Sequence, residues 1–308
     1  MKCLVTGGCG FIGSNLVDEL INQNHDVVVI DNLSSDAHDQ FYFNKKATYY
    51  NYDIQDHRIN GLFEQYKFEY VFHLAAEARI QNCINDPSKA LNINTIGTQY
   101  LLQAANEHKV KRFILSSTSA IYGLNKILPQ TESLPVNCLN MYSYSKWFSE
   151  NLCKMYANTT ELDTICFRYF NVYGPRQPIR GSYAPVIGVF SRQKKAGEPM
   201  TIVGDGLQTR DYVHVSDVVN ANISAMNKIE NLNGEIINIG SEMNYSVLDI
   251  AKFMGGEYIY LPPRIGEAKN TLSNCNKAKQ LLNWSPKKKL LDYLEKKHYE
   301  LTYITLEI

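Results

Sequence analysis

Tyr142 and Lys146 stand four residues apart in Tyr142-Ser143-Tyr144-Ser145-Lys146, at the start of a stretch with helical spacing. Residues i and i+4 share one helix face. A free tyrosine has a pKa of about 10 and is a poor base at neutral pH. An ammonium beside it stabilises the phenolate, so the pair can take a proton from an alcohol or sugar hydroxyl. The chain holds 21 tyrosines, so the spacing to lysine carries the signal and the residue type does not. Tyr144 lacks a lysine at that distance. Thr118 lies upstream, at the end of an apolar run. Its hydroxyl either bonds the same substrate oxygen or is an ordinary loop hydroxyl.

A second constellation opens the chain. Lys2–Thr6 runs into Gly7-Gly8-Cys9-Gly10-Phe11-Ile12-Gly13 and then into helical spacing. Gly7, Gly10 and Gly13 let the backbone turn tightly, approach a pyrophosphate and pack helix on strand, while the helix N-terminus attracts the anion. A second apolar run ends at Asp31, where a carboxylate bonds a ribose diol and repels a 2′-phosphate. No Lys or Arg follows before Lys45, which favours NAD over NADP. The positive nicotinamide ring would further stabilise a Tyr142 phenolate. Later strand ends carry Asp53-Ile54, Leu74-Ala75-Ala76 and Ser116-Ser117-Thr118. Asp53 is placed to accept from the adenine amino group. Ala75 and Ala76 leave room for a dinucleotide, or simply pack closely. Asn94 braces the sheet or a strand-end loop, or makes a plain polar helix contact.

These residues need a frame. Short apolar runs (Cys3–Thr6, Val27–Ile30, Tyr70–Leu74, Phe113–Leu115, Thr164–Phe167) alternate with helical stretches at Gly13–Gln23, Pro87–His108 and Ser143–Ala157. That alternation predicts βαβ units and an α/β, doubly wound parallel sheet of Rossmann type, buried on both faces. Asp86-Pro87 predicts a helix start. After Arg168, Gly and Pro punctuate short pieces, which predicts a smaller α/β substrate-binding domain broken by one helix-strand segment, Ser216–Ile239. The expected division is 1–170, with about 212–240, for the NAD-binding domain, and 171–211 with 241–308 for the other. The run Lys287-Lys288-Lys289 predicts a solvated helix start.

Composition narrows the classes. With 31 basic and 31 acidic side chains the formal net charge is zero, which speaks against nucleic acid or an anionic membrane as partner. The 44% apolar content excludes a disordered chain. No apolar run reaches the roughly 18–20 residues of a membrane span. The seven cysteines form no CxxC pair, so neither a disulfide framework nor a metal site is expected. Without an apparent leader, a cytoplasmic location is the default expectation.

The motifs together carry a resemblance. The chain resembles the extended short-chain dehydrogenase/reductases, and within them the UDP-hexose 4-epimerases. The matching segments are Thr6–Gly13, Asp31-Asn32-Leu33, Val71–Ala76, Asn94–Thr98, Ser116–Thr118, Ile121-Tyr122-Gly123, Tyr142 with Lys146, Arg168–Gln177, Gly204-Asp205-Gly206 and Thr209–Val215. The resemblance implies an NAD site of Gly7, Gly10, Phe11, Ile12, Gly13, Asp31, Asn32, Asp53, Ile54, Leu74, Ala75, Ala76, Asn94, Ser116, Tyr142, Lys146 and Tyr169. It implies a UDP-sugar site with Asn171 on the loop after the sixth strand, Arg210 and Arg264 on the diphosphate, Glu267 on the nucleotide ribose, and Arg79 near the sugar. Guanidinium forks suit phosphate oxygens. It also implies a homodimer, joined by a four-helix bundle of Pro87–His108 and Ser143–Ala157 from each subunit.

Related enzymes also oxidise C4 but treat the keto sugar differently. By resemblance, 4,6-dehydratases carry Thr-Asp-Glu at the strand end and decarboxylases Thr-Ser-Glu. This chain has Thr118-Ser119-Ala120, which lacks those carboxylates. Oxidation, reorientation and re-reduction remain, which is epimerisation by Thr118, Tyr142 and Lys146. In the family, the position seven beyond the second phosphate-binding arginine lines the sugar pocket. Here it is Thr271, small enough to admit an N-acetyl group. Two other readings stay open: another sugar-nucleotide enzyme, or a non-catalytic NAD-binding regulatory module, which would have no need of the Tyr142–Lys146 pair.

Overall fold

The computed structural model describes residues 1–35, 40–179, 185–263 and 269–304, with side chains up to residue 297. The chain runs through β1 (Lys2–Thr6), α1 (Phe11–Asn22), β2 (Asp26–Ile30), β3 (Thr48–Tyr50), α2 (Arg58–Tyr66), β4 (Tyr70–His73) and α3 (Ile80–Asn85). Next come α4 (Pro87–Leu91), a wide π turn (Asn92–Ile96), α5 (Gly97–Glu107), β5 (Arg112–Thr118), α6 (Met141–Thr159) and β6 (Asp163–Tyr169). Then follow β7 (Asn171–Tyr173), α7 (Val186–Lys195), β8 (Met200–Val203), β9 (Thr209–His214) and α8 (Val215–Asn227). The chain continues with β10 (Glu235–Ile239), β11 (Asn244–Ser246), α9 (Val247–Met254), β12 (Tyr258–Leu261), α10 (Asn276–Leu282) and α11 (Leu290–Ile304).

Among the described residues, seven strands form one parallel sheet in the order β3-β2-β1-β4-β5-β6-β10. Successive side chains on a strand point to opposite faces, and both faces are covered. Cys3, Val5, Val27, Val29, Ile165 and Phe167 pack toward α1, α8 and α10. Leu4, Val28, Ile30, Val71, Phe113 and Cys166 pack toward α2, α5 and α6. This is the expected doubly wound α/β fold of Rossmann type. Strand order reverses between β1 and β4, and a ligand crevice lies outside the carboxyl ends at such a point.

The anticipated strands are all present, and β5 runs on to Thr118, which sets that hydroxyl at the carboxyl end of the sheet. Asp86 caps α4 as anticipated, its Oδ1 accepting from Lys89 N at 2.9 Å, with Pro87 in the first turn. The single helix expected over Pro87–His108 is instead interrupted by the π turn. The wider turn spares carbonyls for side chains: Asn92 O accepts from Gln55 Nε2 at 2.7 Å, and Asn94 O accepts from Ser149 Oγ at 2.7 Å and Thr98 Oγ1 at 2.5 Å. Such turns mark functional regions. Periodicity alone did not indicate β3 or α2.

Beyond β6, the punctuated stretch builds two small sheets, β11-β9-β7 and β12-β8. With α7, α9 and α11 they enclose a separate core around Tyr173, Phe190, Tyr212, Ile250 and Leu294. The lysine run is not itself helical: α11 begins at Leu290. The backbone N–H groups of Lys287 and Lys288 are held by buried Asp217 Oδ2 at 3.0 and 2.9 Å. At the opposite end of the sheet from the crevice, buried Arg112 meets Asp163 at 2.5 Å. Arg112 also donates to the carbonyls of Ala225, Lys228 and Glu230.

Candidate active site

The loop after β1 is built for close approach. Gly7 has φ +70°, and a Cβ there would lie 2.7 Å from Ala75 N. A Cβ on Gly13 would lie 2.2 Å from Gly7 O. Neither position tolerates a side chain, so β1, α1 and the β4 loop share one tight cradle. The α1 N-terminus has no side-chain cap and no acid in its first turn, which leaves its N–H groups and dipole for an anion. Asp31 accepts from Cys9 N and Leu33 N, both at 2.9 Å, so its carboxylate also shapes the loop. Asp53 accepts from Asn32 Nδ2 and Gln55 N, both at 3.0 Å, so it links two strand ends in addition to its expected adenine role. Ile54 is buried against Gly97, and Leu74, Ala75 and Ala76 are half-buried along the crevice floor. Buried His73 bonds Thr6 Oγ1 at 2.7 Å and Thr98 Oγ1 at 2.9 Å, and burial holds it neutral. It pins β1 to β4 and α5 directly under the cradle. An uncapped helix start, glycines with no room for Cβ and an acid at the end of β2 fit a dinucleotide with a free ribose diol.

Asp31→Ala is expected to weaken NAD binding by roughly tenfold or more, the scale of a hydrogen bond to a charged group. NADP should be weakened less, because the repulsion of its 2′-phosphate goes too. Direct titration of both dinucleotides measures this, and an unchanged NAD preference would remove Asp31 from the ribose.

The reacting residues come from two elements. Asn140 and Ser143 form a capping box at the start of α6, with Ser143 N donating to Asn140 Oδ1 at 3.0 Å. This fixes the first turn, which carries Tyr142. Thr118 ends β5, accepts from Ala120 N at 3.1 Å and shares a hydrogen bond with the Tyr142 side chain. Burial pushes the Tyr142 phenol up to about 12, against the opposing effect of Thr118. Lys146 is buried one turn on, with Nζ donating to Ser116 O at 2.9 Å, and burial lowers it to about 8.

To the expected pull of the ammonium on the phenol the structure adds burial, which opposes ionisation of both side chains. In the resting protein, desolvation dominates both groups, and Lys146 is tethered to the strand-end carbonyl. Asn94 serves as a brace: its Oδ1 accepts from Glu77 N at 2.8 Å, and its Nδ2 donates to Glu77 O and Ser145 Oγ at 3.0 and 2.9 Å. Buried Tyr169 bonds Ser116 Oγ at 3.2 Å and Asn222 Nδ2 at 2.8 Å, closing the crevice beside β5.

A cleft of about 780 Å³ opens from this point toward the small sheets, lined by Arg79, Thr118, Tyr142, Asn171, Arg210 and Thr271 among others. It brings together sugar-site positions far apart in sequence. Asn171 is exposed and begins strand β7, where a loop was expected. Arg210 Nη1 donates to Thr209 O and Lys269 O, both at 3.1 Å, which steers the guanidinium along the wall. Thr271 Oγ1 accepts from Asp211 N at 3.1 Å. Buried Asp211 in turn holds Ser273 Oγ at 2.6 Å and Ser241 Oγ at 2.8 Å, so it organises the wall between Arg210 and Thr271. Arg264 and Glu267 lie outside the described residues. Arg192, Gln193 and Gln208 also line the cleft, and no motif pointed to them. Among the described lining residues there are arginines and hydroxyls but no Asp or Glu.

A model of the NAD dependent epimerase/dehydratase family matches residues 3–240. A putative UDP-glucose 4-epimerase of Methanocaldococcus jannaschii is 37% identical over 290 residues, which span 92% of this chain and 92% of that protein. The crystal structure of UDP-glucose 4-epimerase with UDP-glucose from Thermotoga maritima is 38% identical, with a TM-score of 0.91 over 99% of this chain and 100% of that one. The UDP-N-acetylglucosamine 4-epimerase from Methanobrevibacter ruminantium M1, in complex with UDP-N-acetylmuramic acid, is 29% identical, with a TM-score of 0.89 over 100% of this chain and 99% of that one.

Proposed function

The chain belongs to the NAD dependent epimerase/dehydratase family, and from that premise we propose that it inverts C4 of a UDP-hexose, namely UDP-glucose or UDP-galactose and their N-acetyl forms. The carrying observation is the cleft that joins the Tyr142–Thr118 pair to Arg79 and Arg210 with no carboxylate among its described lining residues. The arginines suit a diphosphate. The missing acids leave a dehydratase without the groups that would expel water.

Bound NAD supplies reversible hydride acceptance at C4. The chain's own residues do the rest. Tyr142 takes the proton of the C4 hydroxyl and later returns it. Thr118 bonds the same oxygen while it is a carbonyl. Arg210 keeps the diphosphate in place while the flat ketone turns about its link to it, so binding energy remote from the reacting carbon retains the intermediate. In this reading residues 1–170 with 212–240 form the cofactor lobe, and 171–211 with 241–308 the sugar-nucleotide lobe. Incubation with a panel of UDP-sugars and a trace of NAD, read by NMR for C4 configuration, tests it. An epimerase converts the panel without net NADH, and a net dehydrogenase accumulates it.

The expected homodimer finds support on one face. Ile96 and Tyr100 around the π turn and α5, and Tyr144, Phe148 and Met155 on α6, are each 42–54% exposed. Such an apolar stripe on paired helices suits a second copy of the chain. Light scattering at micromolar concentration should give a dimer, and Phe148→Glu a monomer. A monomeric wild type would sink the bundle. No helix among the described residues is long and apolar enough to cross a membrane.

A further inference from the structure

Tyr142, Lys146 and Glu150 lie at successive i, i+4 positions and so share one face of α6. The first two belong to the reaction proposed above. The third is a carboxylate with 1% exposure, which is costly unless it is paired. It is paired on two strands at once. Glu150 Oε1 accepts from Ser117 Oγ of β5 at 2.6 Å and from Arg168 Nε of β6 at 2.9 Å. Its Oε2 accepts from Arg168 Nη2 at 2.7 Å. Ser117 stands between Ser116, whose carbonyl holds Lys146, and Thr118, which bonds Tyr142.

We propose that Glu150 is a positioning residue: through Ser117 and Arg168 it locks the reacting face of α6 onto the ends of β5 and β6, and it supplies the counter-charge beneath Lys146. The surroundings leave few alternatives for that charge. Cys153 on α6, Cys83 on α3 and Cys166 on β6 lie within electrostatic reach of Lys146, as does His73 on β4. The Cys83 and Cys166 thiols are driven up by burial and His73 is driven down, so these three are neutral at working pH. Glu150 is then the carboxylate among the described residues that favours protonated Lys146. Arg168 is the second partner of that carboxylate, and its cation sits over the Tyr122 ring at 4.9 Å.

The proposal rests on the reaction assigned above, so one arm of its test needs no turnover. In wild type, the Lys146 resonance followed by 13C NMR on lysine-labelled protein, assigned with Lys146→Met, should titrate near 8. In Glu150→Gln the midpoint should fall to lower pH. Turnover should lose roughly tenfold or more in kcat, the scale of misplaced reacting groups, with KM nearly unchanged. The alkaline limb of the kcat–pH profile should follow Lys146 to lower pH, whereas a merely structural fault lowers activity equally at every pH. A folded Glu150→Gln chain that keeps either the wild-type Lys146 titration or the wild-type kcat overturns the proposal. Should that variant not fold, Glu150→Asp keeps the charge but shortens the reach, and a wild-type kcat there overturns it. A wild type that converts no UDP-sugar sinks the reaction reading, and the NMR arm still decides the pairing.

Discussion

Replacing Tyr142 with phenylalanine is expected to lower kcat by about 10²-fold or more, the scale of lost acid–base catalysis, while NAD and UDP-sugar still bind. The hydroxyl is the only atom removed, and its partner is Thr118, which keeps its bond from Ala120 N at 3.1 Å. The cradle and the arginine-lined wall do not depend on it. The pH dependence sharpens the test. In the resting protein burial holds the phenol at about 12, so neutral tyrosine predominates. The positive ring of bound NAD acts against burial and brings the group toward working pH. Rate then rises with pH as Tyr142 ionises and falls again as Lys146 loses its proton. In Tyr142→Phe the rising limb should disappear. Near wild-type turnover in the variant would remove Tyr142 from the chemistry.

Thr271→Tyr is expected to cut turnover of the N-acetylated UDP-sugars by about 100-fold or more relative to the plain hexoses, since a clash in a packed pocket exceeds the ~1–3 kcal/mol of a single methylene. Thr271 shares the cleft wall with Thr118 and Tyr142, so a ring built there enters the space beside the sugar. One further effect must be separated. Thr271 Oγ1 accepts from Asp211 N at 3.1 Å, and any replacement without that acceptor loosens the wall that holds Arg210. Thr271→Val is the control: it keeps the volume and drops the hydroxyl, so it should affect all four substrates alike. A wild type confined to the non-acetylated pair, or a tyrosine variant that loses all four equally, would overturn this view of the pocket.

What the sequence revealed is what it encodes locally. The glycine turn before α1, Asp31 at the end of β2 and Tyr142 four before Lys146 are fixed by spacing along one element. Their surroundings depend on partners that arrive from elsewhere. Glu150 continues the same i, i+4 series as Tyr142 and Lys146, yet its meaning came only with Arg168 and Ser117 on neighbouring strands. Asn94 read either as a brace to the sheet or a strand-end loop or as a plain polar helix contact, and only its partners decide between them. The π turn, which no apolar pattern announces, is what lets it clasp Glu77 and Ser145. The lysine run read as a helix start because its charge was visible, whereas Asp217, which binds its backbone, lies 70 and 71 residues away. For the phenol and the ammonium, sequence shows charge and spacing, whereas the burial that raises one and lowers the other comes with the packed fold.

The clamp on Arg112 bears on how this molecule must be made. The three carbonyls that cap the guanidinium lie 113, 116 and 118 residues further along the chain. A growing polypeptide therefore carries a half-capped cation at the foot of its sheet while that stretch is translated, roughly 6–24 s at about 5–20 residues per second. Until those carbonyls arrive the guanidinium keeps its water, so this end of the sheet is expected to close only once α8 and the turn after it have been synthesised. The first 170 residues, for all their motifs, are therefore expected to leave the Arg112 end of the sheet unfinished. A fragment meant to bind dinucleotide by itself would have to carry the returning segment through β10, grafted or supplied in trans.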